Sequence, residues 1–228
     1  MPEGEWGQNV RIRFYLRIQV FCILFSMVMP AVIGAATRYV STSGNNGNDG
    51  SSPDSPWKTI TYAVARVTPG DSILAVPGDY GNEQIVITKN GAESKLICLT
   101  RLGSSGEITV MSSGSMSGNS LTLNADYWNI EYVHTKNCYF GIVIGAEAEN
   151  NVLRYCTTEG NGTDSPVVKV EYRGFYIRGR NNRLEYCRAN NIGNKGKDER
   201  NFGYGSGMRI EGDYNSILGF KSWSNGHF

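Results

Sequence analysis

Two segments of this chain present the same chemistry at matched positions. Gly174-Phe-Tyr-Ile-Arg178 supplies Tyr176 and Arg178, and Gly207-Met-Arg-Ile-Glu211, starting 33 residues later, supplies Arg209 and Glu211. Two guanidinium groups can grip a carboxylate through paired hydrogen bonds, and a nearby aromatic ring can stack on a sugar. Before each segment lies a polar, charged stretch, roughly residues 163–173 and 194–206, which together carry Asp164, Lys169, Glu171, Arg173, Lys195, Lys197, Asp198, Glu199 and Arg200. Lys169, Arg173, Tyr176 and Glu211 are candidate binding residues for an acidic sugar. Asp198, Glu199 and Asp213 are hard oxygen donors suited to calcium. Removing a proton beside a carboxylate requires that carboxylate to be neutralised and a base to be at hand, and Arg209 and Arg178 are the candidates for this catalytic work. The alternative is a solvated surface on which Arg178 and Glu211 are an ordinary ion pair.

The elements that position these groups follow from a repeat. Gly141-Ile-Val-Ile-Gly145 starts 33 residues before Gly174, and a degenerate copy, Ser120-Leu-Thr-Leu-Asn124, starts 21 residues before Gly141. Each copy is followed by a second short segment: Asn129–Val133, Val152–Cys156, Arg183–Cys187 and Ser216–Phe220. Asn151, Asn182 and Asn215 directly precede the last three. A unit of about 21 residues with short strands and Asn/Gly corners is one coil of a β-solenoid, each strand pairing with its counterpart in the next coil. The 12 additional residues in two consecutive units fall at one corner and would form paired loops walling a groove.

Alternation assigns the faces. Leu121, Ile142, Phe175 and Met208 form one inward ladder, Leu123, Ile144, Ile177 and Ile210 another, and Ile130, Leu153, Leu184 and Ile217 a third. Thr122, Val143, Tyr176 and Arg209 face outward, as do Asn124, Gly145, Arg178 and Glu211. Beside the third ladder, Glu131, Arg154, Glu185 and Leu218 place acid, base and acid on successive coils. Cys156 and Cys187 share a register, so they are either a disulfide or a stacked pair of buried thiols. Upstream, Ile60, Ala63, Val64 and Val67 give one short amphipathic helix able to cover the open end of the core, with Pro69-Gly-Asp71 a turn and 72–76 the first coil strand.

Arg11, Arg13 and Arg17, the apolar run from Ile18 to Gly34 and the small residues Gly34, Ala35 and Ala36 read as a signal peptide over 1–36, the alternative being an uncleaved anchor. The β-solenoid domain then spans 37–228. Loss of 1–36 removes three basic and two acidic residues from totals of 22 and 21, leaving 19 of each. That neutral balance gives no field for nucleic acid or for stable membrane attachment, so an anionic ligand must be held by local charge. A secreted or cell-surface monomer is expected. Four cysteines remain after export and fit neither a disulfide scaffold nor a zinc motif. His134 and His227 read as turn residues, and Asn161-Gly-Thr163 is a glycosylation sequon.

Tyr39-Val-Ser-Thr-Ser-Gly44, Asn48-Asp-Gly50, Pro56-Trp-Lys-Thr-Ile60, Pro69-Gly-Asp71 and Val76-Pro-Gly-Asp-Tyr80 resemble the N-terminal signature of right-handed parallel β-helix (pectate-lyase-like) proteins, nearest to the family 9 polysaccharide lyases and exported relatives. The resemblance implies an all-β fold with one capping helix and an acidic-polysaccharide partner. It further implies a lyase acting on a uronate glycan by β-elimination with Ca2+, and further coils beyond Phe228 that hold the family's calcium-binding Asp cluster and catalytic Lys. No counterpart of that cluster stands in this sequence. A non-catalytic carbohydrate-binding solenoid and a polygalacturonase-type hydrolase are the alternatives. The second lacks its Asp-Asp pair, and Arg209-Ile-Glu211 is only near that family's Arg-Ile-Lys.

Overall fold

In a computed structural model the described residues are 34–111, 118–161, 171–193 and 204–225, and from Ala35 onward they belong to one compact unit, Ala35–Phe228. Three parallel sheets run the length of this unit. Sheet A contains β1 (Thr37–Val40), β2 (Ser72–Ala75), β5 (Ile97–Arg101), β8 (Trp128–Glu131), β11 (Val152–Arg154), β14 (Arg183–Glu185) and β17 (Ser216–Leu218). Sheet B contains β3 (Gly78–Asp79), β6 (Ile108–Met111), β9 (Val133–Lys136), β12 (Thr157–Glu159), β15 (Arg188–Asn190) and β18 (Lys221–Trp223). Sheet C contains β4 (Ile85–Ile87), β7 (Asn119–Leu123), β10 (Phe140–Ile144), β13 (Glu171–Ile177) and β16 (Tyr204–Ile210). The chain visits A, B and C in turn, so each strand pairs with the one a full coil away and every coil buries its apolar side against the next.

The ladders expected from alternation are present. Ile142 pairs with Leu121 and Phe175, Ile144 with Leu123 and Ile177, and Leu153 with Ile130 and Leu184; all of these are fully buried. Ile210 pairs with Ile177 but is 44% exposed, because in the last described coil it has a stacked neighbour on one side only. The Gly that opens each sheet C repeat has a packing reason. A Cβ on Gly141 would lie 2.6 Å from the carbonyl of Gly174 and 2.7 Å from Thr135 Oγ1, and Gly174 and Gly207 press in the same way on Thr158 and Ser222 of sheet B. Sheet C enters the core too close to sheet B to admit a side chain.

Asparagines hold the corner before sheet A, Asn151 and Asn182 buried and Asn215 half-buried. Asn182 Oδ1 accepts from Asn151 N at 3.0 Å and Asn215 Oδ1 from Asn182 N at 2.9 Å, while Asn151 and Asn182 donate to the carbonyls of Ala125 and Ala148. These amides satisfy backbone groups that the turn takes out of the sheets.

Several expectations need correction. The second segments are not single strands: Tyr132, Tyr155 and Tyr186 adopt φ of 58°, 54° and 54° and turn the chain from sheet A into sheet B. Left-handed backbone costs a residue on the order of 1 kcal/mol; here the three rings stack, centroids 5.1 and 5.5 Å apart, and offset it. The first coil strand is β1, which pairs with β2 in parallel, not residues 72–76. The helix α1 (Ile60–Val64) is a single short turn capped by Thr59, with Glu83 accepting from Ile60 N and Thr61 N; it packs on β1, β2 and β4, and Val67 is buried just past its end. Of the two readings of Cys156 and Cys187, the stacked thiols are the one present: both are free and buried, and burial pushes the Cys156 thiol up. Asn161 is buried, its amide donating to the carbonyl of Arg173 at 3.0 Å, so it does not stand out as a glycosylation acceptor. Residues 1–33 of the expected signal segment, and His227, lie outside the described residues.

Candidate functional site

Sheet C brings the sequence candidates together on its outer face. The register places Phe140 beside Arg173, and Val143 beside Tyr176 beside Arg209, with Arg178 and Glu211 following the last paired residues. Arg173, expected in a loop, lies inside β13, because Glu171, Tyr172 and Arg173 pair with Tyr204, Gly205 and Ser206 and extend sheet C into both polar stretches. The inward ladder takes Tyr172 and Phe175, and Arg173 lies between them on the other face. Its guanidinium carbon lies 4.2 Å from the Tyr176 ring centroid and 5.2 Å from that of Phe140, and it forms an ion pair with Glu171. Tyr176 in turn meets Phe140 edge to face at 5.5 Å.

Glu211 is the centre of this group. Its carboxylate accepts from Tyr176 Oη at 2.6 Å, pairs with Arg209 Nε at 2.8 Å and faces Arg178 Nε at 3.9 Å. The Tyr176 hydrogen bond, with Arg209 and Arg173 nearby, holds the Glu211 carboxyl below its usual range. The same bond raises the Tyr176 phenol. Arg209 Nη1 also reaches Glu171 at 3.3 Å. Among the described residues three guanidinium groups thus surround two carboxylates, a surplus of one positive charge on a face that also carries Phe140 and Val143. A phenol and two guanidinium groups converging on Glu211 form a carboxylate-sized cradle, with a protein carboxylate standing where an exchangeable one could sit.

The other candidates are not gathered here. Lys169, Asp198 and Glu199 lie outside the described residues, as do Lys195, Lys197 and Arg200. Asp213 sits between β16 and β17, where its carbonyl accepts from Asn181 N at 3.1 Å. Among the described residues no three His, Cys, Asp or Glu side chains form a group that could hold a metal ion. The described residues therefore do not by themselves fit a calcium cage.

Sequence reasoning missed a second cluster. His134, read as a turn residue, belongs to β9 and is 7% exposed, with Glu107 Oε2 2.8 Å from its Nδ1 and Glu159 Oε2 3.2 Å from its Nε2. The tyrosines that recur after each Ile-Glu, Leu-Arg and Leu-Glu pair were the available signal, since they mark a corner shared by three coils.

A family model described as the Pel9A-like right-handed β-helix region matches residues 38–227. Among solved structures, a rhamnogalacturonan lyase superimposes with a TM-score of 0.67 at 17% identity over 84% of this chain and 52% of its own. The pectate lyase Pel9A gives 0.66 at 21% identity over 86% and 49%. An alginate lyase from Paenibacillus sp. gives 0.54 at 17% identity over 82% and 58%. No curated protein matches the sequence. The chain spans about half the length of the first two structures. At these identities the likeness is one of fold.

Proposed function

The chain belongs to the family of Pel9A-like right-handed β-helix regions, and from that premise we propose that it binds a uronate-bearing polysaccharide along the outer face of sheet C and serves its cleavage by β-elimination outside the cell. The observation that carries the reading is the cradle around Glu211, in which Tyr176, Arg178 and Arg209 already hold a carboxylate. A uronate exchanging with Glu211 would gain the same donors and the surplus positive charge.

In β-elimination the proton on the carbon next to the carboxylate goes to a base. Its electron pair forms the new double bond, and the glycosidic oxygen leaves with the electrons of its own bond. Neutralising the carboxylate makes that proton more acidic, which is transition-state stabilisation by preplaced charge. A guanidinium remains charged and takes no proton. Arg178 and Arg209 therefore enter as the neutralising pair, Tyr176 and Arg173 as orienting groups, and the proton-accepting role falls to another group. The segment over 1–36 directs export in this reading.

Incubation with polygalacturonate or alginate, with and without calcium, tests it. Absorbance from an unsaturated product is expected. Reducing ends without that chromophore would indicate hydrolysis instead. Binding without either product would favour a glycan-binding module, a reading supported by the pairing of both carboxylates with guanidinium groups of the protein itself.

A further inference from the structure

The corner at which sheet A turns into sheet B carries a cleft of about 180 Å³, and none of its lining comes from sheet C. One wall is the tyrosine stack. Tyr155 is sandwiched between Tyr132 and Tyr186 with nearly parallel rings, 13° and 11° apart, yet Tyr155 and Tyr186 are 42% and 47% exposed, so they offer their edges outward. Arg101 closes one end: its guanidinium lies 3.7 Å from the Tyr132 ring and is fixed by the carbonyls of Gly106 and Ser104 at 2.7 and 2.6 Å. At the other end the ladder position after Tyr186 is Gly219, where a Cβ would strike the Tyr186 ring at 2.6 Å.

The floor is polar and built. Glu107 reaches from before β6 to His134, and its other oxygen lies 3.5 Å from Thr157 Oγ1. The hydrogen bond from buried His134 holds the Glu107 carboxyl below its usual range, so it is an ionised acceptor at neutral pH. Glu159, backed by Lys136 at 3.8 Å, lies 3.2 Å from Nε2 on the far side of the His134 ring, without a hydrogen bond to it. Arg188 is the next rung after Thr157, roughly 4.8 Å along the solenoid, and it is exposed and forms no ion pair with a described residue.

This arrangement selects its ligand by chemistry. A sulfate would satisfy Arg188 but offers Glu107 no donor, and a phosphate brings up to two negative charges against the Glu107 carboxylate. A neutral sugar would satisfy Glu107 and Thr157 and leave Arg188 unpaired. A sugar acid has both groups, at opposite sides of one ring, and the cleft is smaller than the few-hundred-Å³ sites of larger ligands. We infer that the corner cleft is a second glycan subsite that seats one uronate residue, its carboxylate on Arg188, its ring hydroxyls on Glu107 and Thr157, and its ring against the tyrosine edges. The inference shares the substrate class proposed above but none of the sheet C residues. A chain that binds there as well would hold a long polymer at two faces of the solenoid.

The test uses the full chain with Arg178→Gln and Arg209→Gln, so that sheet C cannot answer for the corner. Titration calorimetry with trigalacturonate should still detect binding, and adding Arg188→Gln should weaken it about tenfold or more, as for loss of a charge-assisted pair. Galactotriose, which lacks the carboxylate, should bind the two chains equally and more weakly. Glu107→Gln, which keeps the shape and removes the charge of the acceptor, should also weaken trigalacturonate. Circular dichroism and melting identical to the parent establish folding of each variant. Absence of trigalacturonate binding in the sheet C double variant, or equal binding with and without Arg188, overturns the inference. Failure of the sheet C reading shows separately, as undiminished product formation by that double variant.

Discussion

On the outer face of sheet A, Glu131, Arg154 and Glu185 follow one another coil by coil, with Arg183 closing on Glu185. On the outer face of sheet C, Arg173, Arg178 and Arg209 gather round Glu171 and Glu211. Both are charge ladders made by the same coil-to-coil stacking. They differ in balance and in exposure. Sheet A has two acids for two bases, Glu131 is further occupied by Thr100 and Asn129, and the Glu185 side chain is only 11% exposed. Among the described residues sheet C has three bases for two acids, and its acids, Glu211 and Glu171, are 36% and 55% exposed. The repeat supplies the pairing in both cases, but only surplus charge left in reach of solvent can be handed to a ligand.

The sharpest way to break this contrast is to remove the surplus. Arg178→Gln with Arg209→Gln should lower the rate of unsaturated product formation by about 100-fold, the loss expected for two charge-assisted contacts, and leave the urea midpoint unchanged. A variant that works as well as the parent would make sheet C as purely structural as sheet A.

Arg154→Met probes the closed ladder and should do the reverse, costing about 1 kcal/mol in urea unfolding with no change in product formation. Its pH signature is specific. Arg154 holds the Glu185 carboxyl below 4.5, so the stabilisation it brings is complete above 4.5 and fades as pH falls through the lower folded value. The variant should show a shallower loss of stability in that acid window. An acid limb parallel to the parent's would remove the pair from the account of stability.

Glu211→Gln gives the smallest effect and tests whether the cradle is exchangeable. It should tighten trigalacturonate binding a few-fold on calorimetry, because the protein no longer competes for its own donors. It should also bring the Tyr176 phenol down towards 10.0 in an ultraviolet pH titration, since the Glu211 bond is the main cause of its elevation. A phenol that does not move would place Tyr176 away from Glu211 in solution.

The interior ladders were legible because period-two alternation and a fixed repeat length are properties of the chain alone. Gly141, Gly174 and Gly207 announced the stacking even though the reason for glycine, contact with Thr135, Thr158 and Ser222 across the core, was invisible. The corners were legible only in part. Asn151, Asn182 and Asn215 stood out as a series, whereas the recurrence of Tyr132, Tyr155 and Tyr186 in one register does not by itself tell that they leave the strand for positive φ.

For the candidate site, Tyr176, Arg178, Arg209 and Glu211 were found by register, and the structure adds that their donors converge on one carboxylate. Arg173 was placed in a loop because its neighbours are polar, and only pairing with Ser206 makes it strand. His134 was missed because its two carboxylates, Glu107 and Glu159, come from different coils. By itself the sequence determined the solenoid, its inward stacks and the outward rows, since these depend on spacing along one chain. Only the tertiary structure decided which outward charges cancel and which are left over, because that balance depends on how far side chains from separate coils reach across the few ångströms between them.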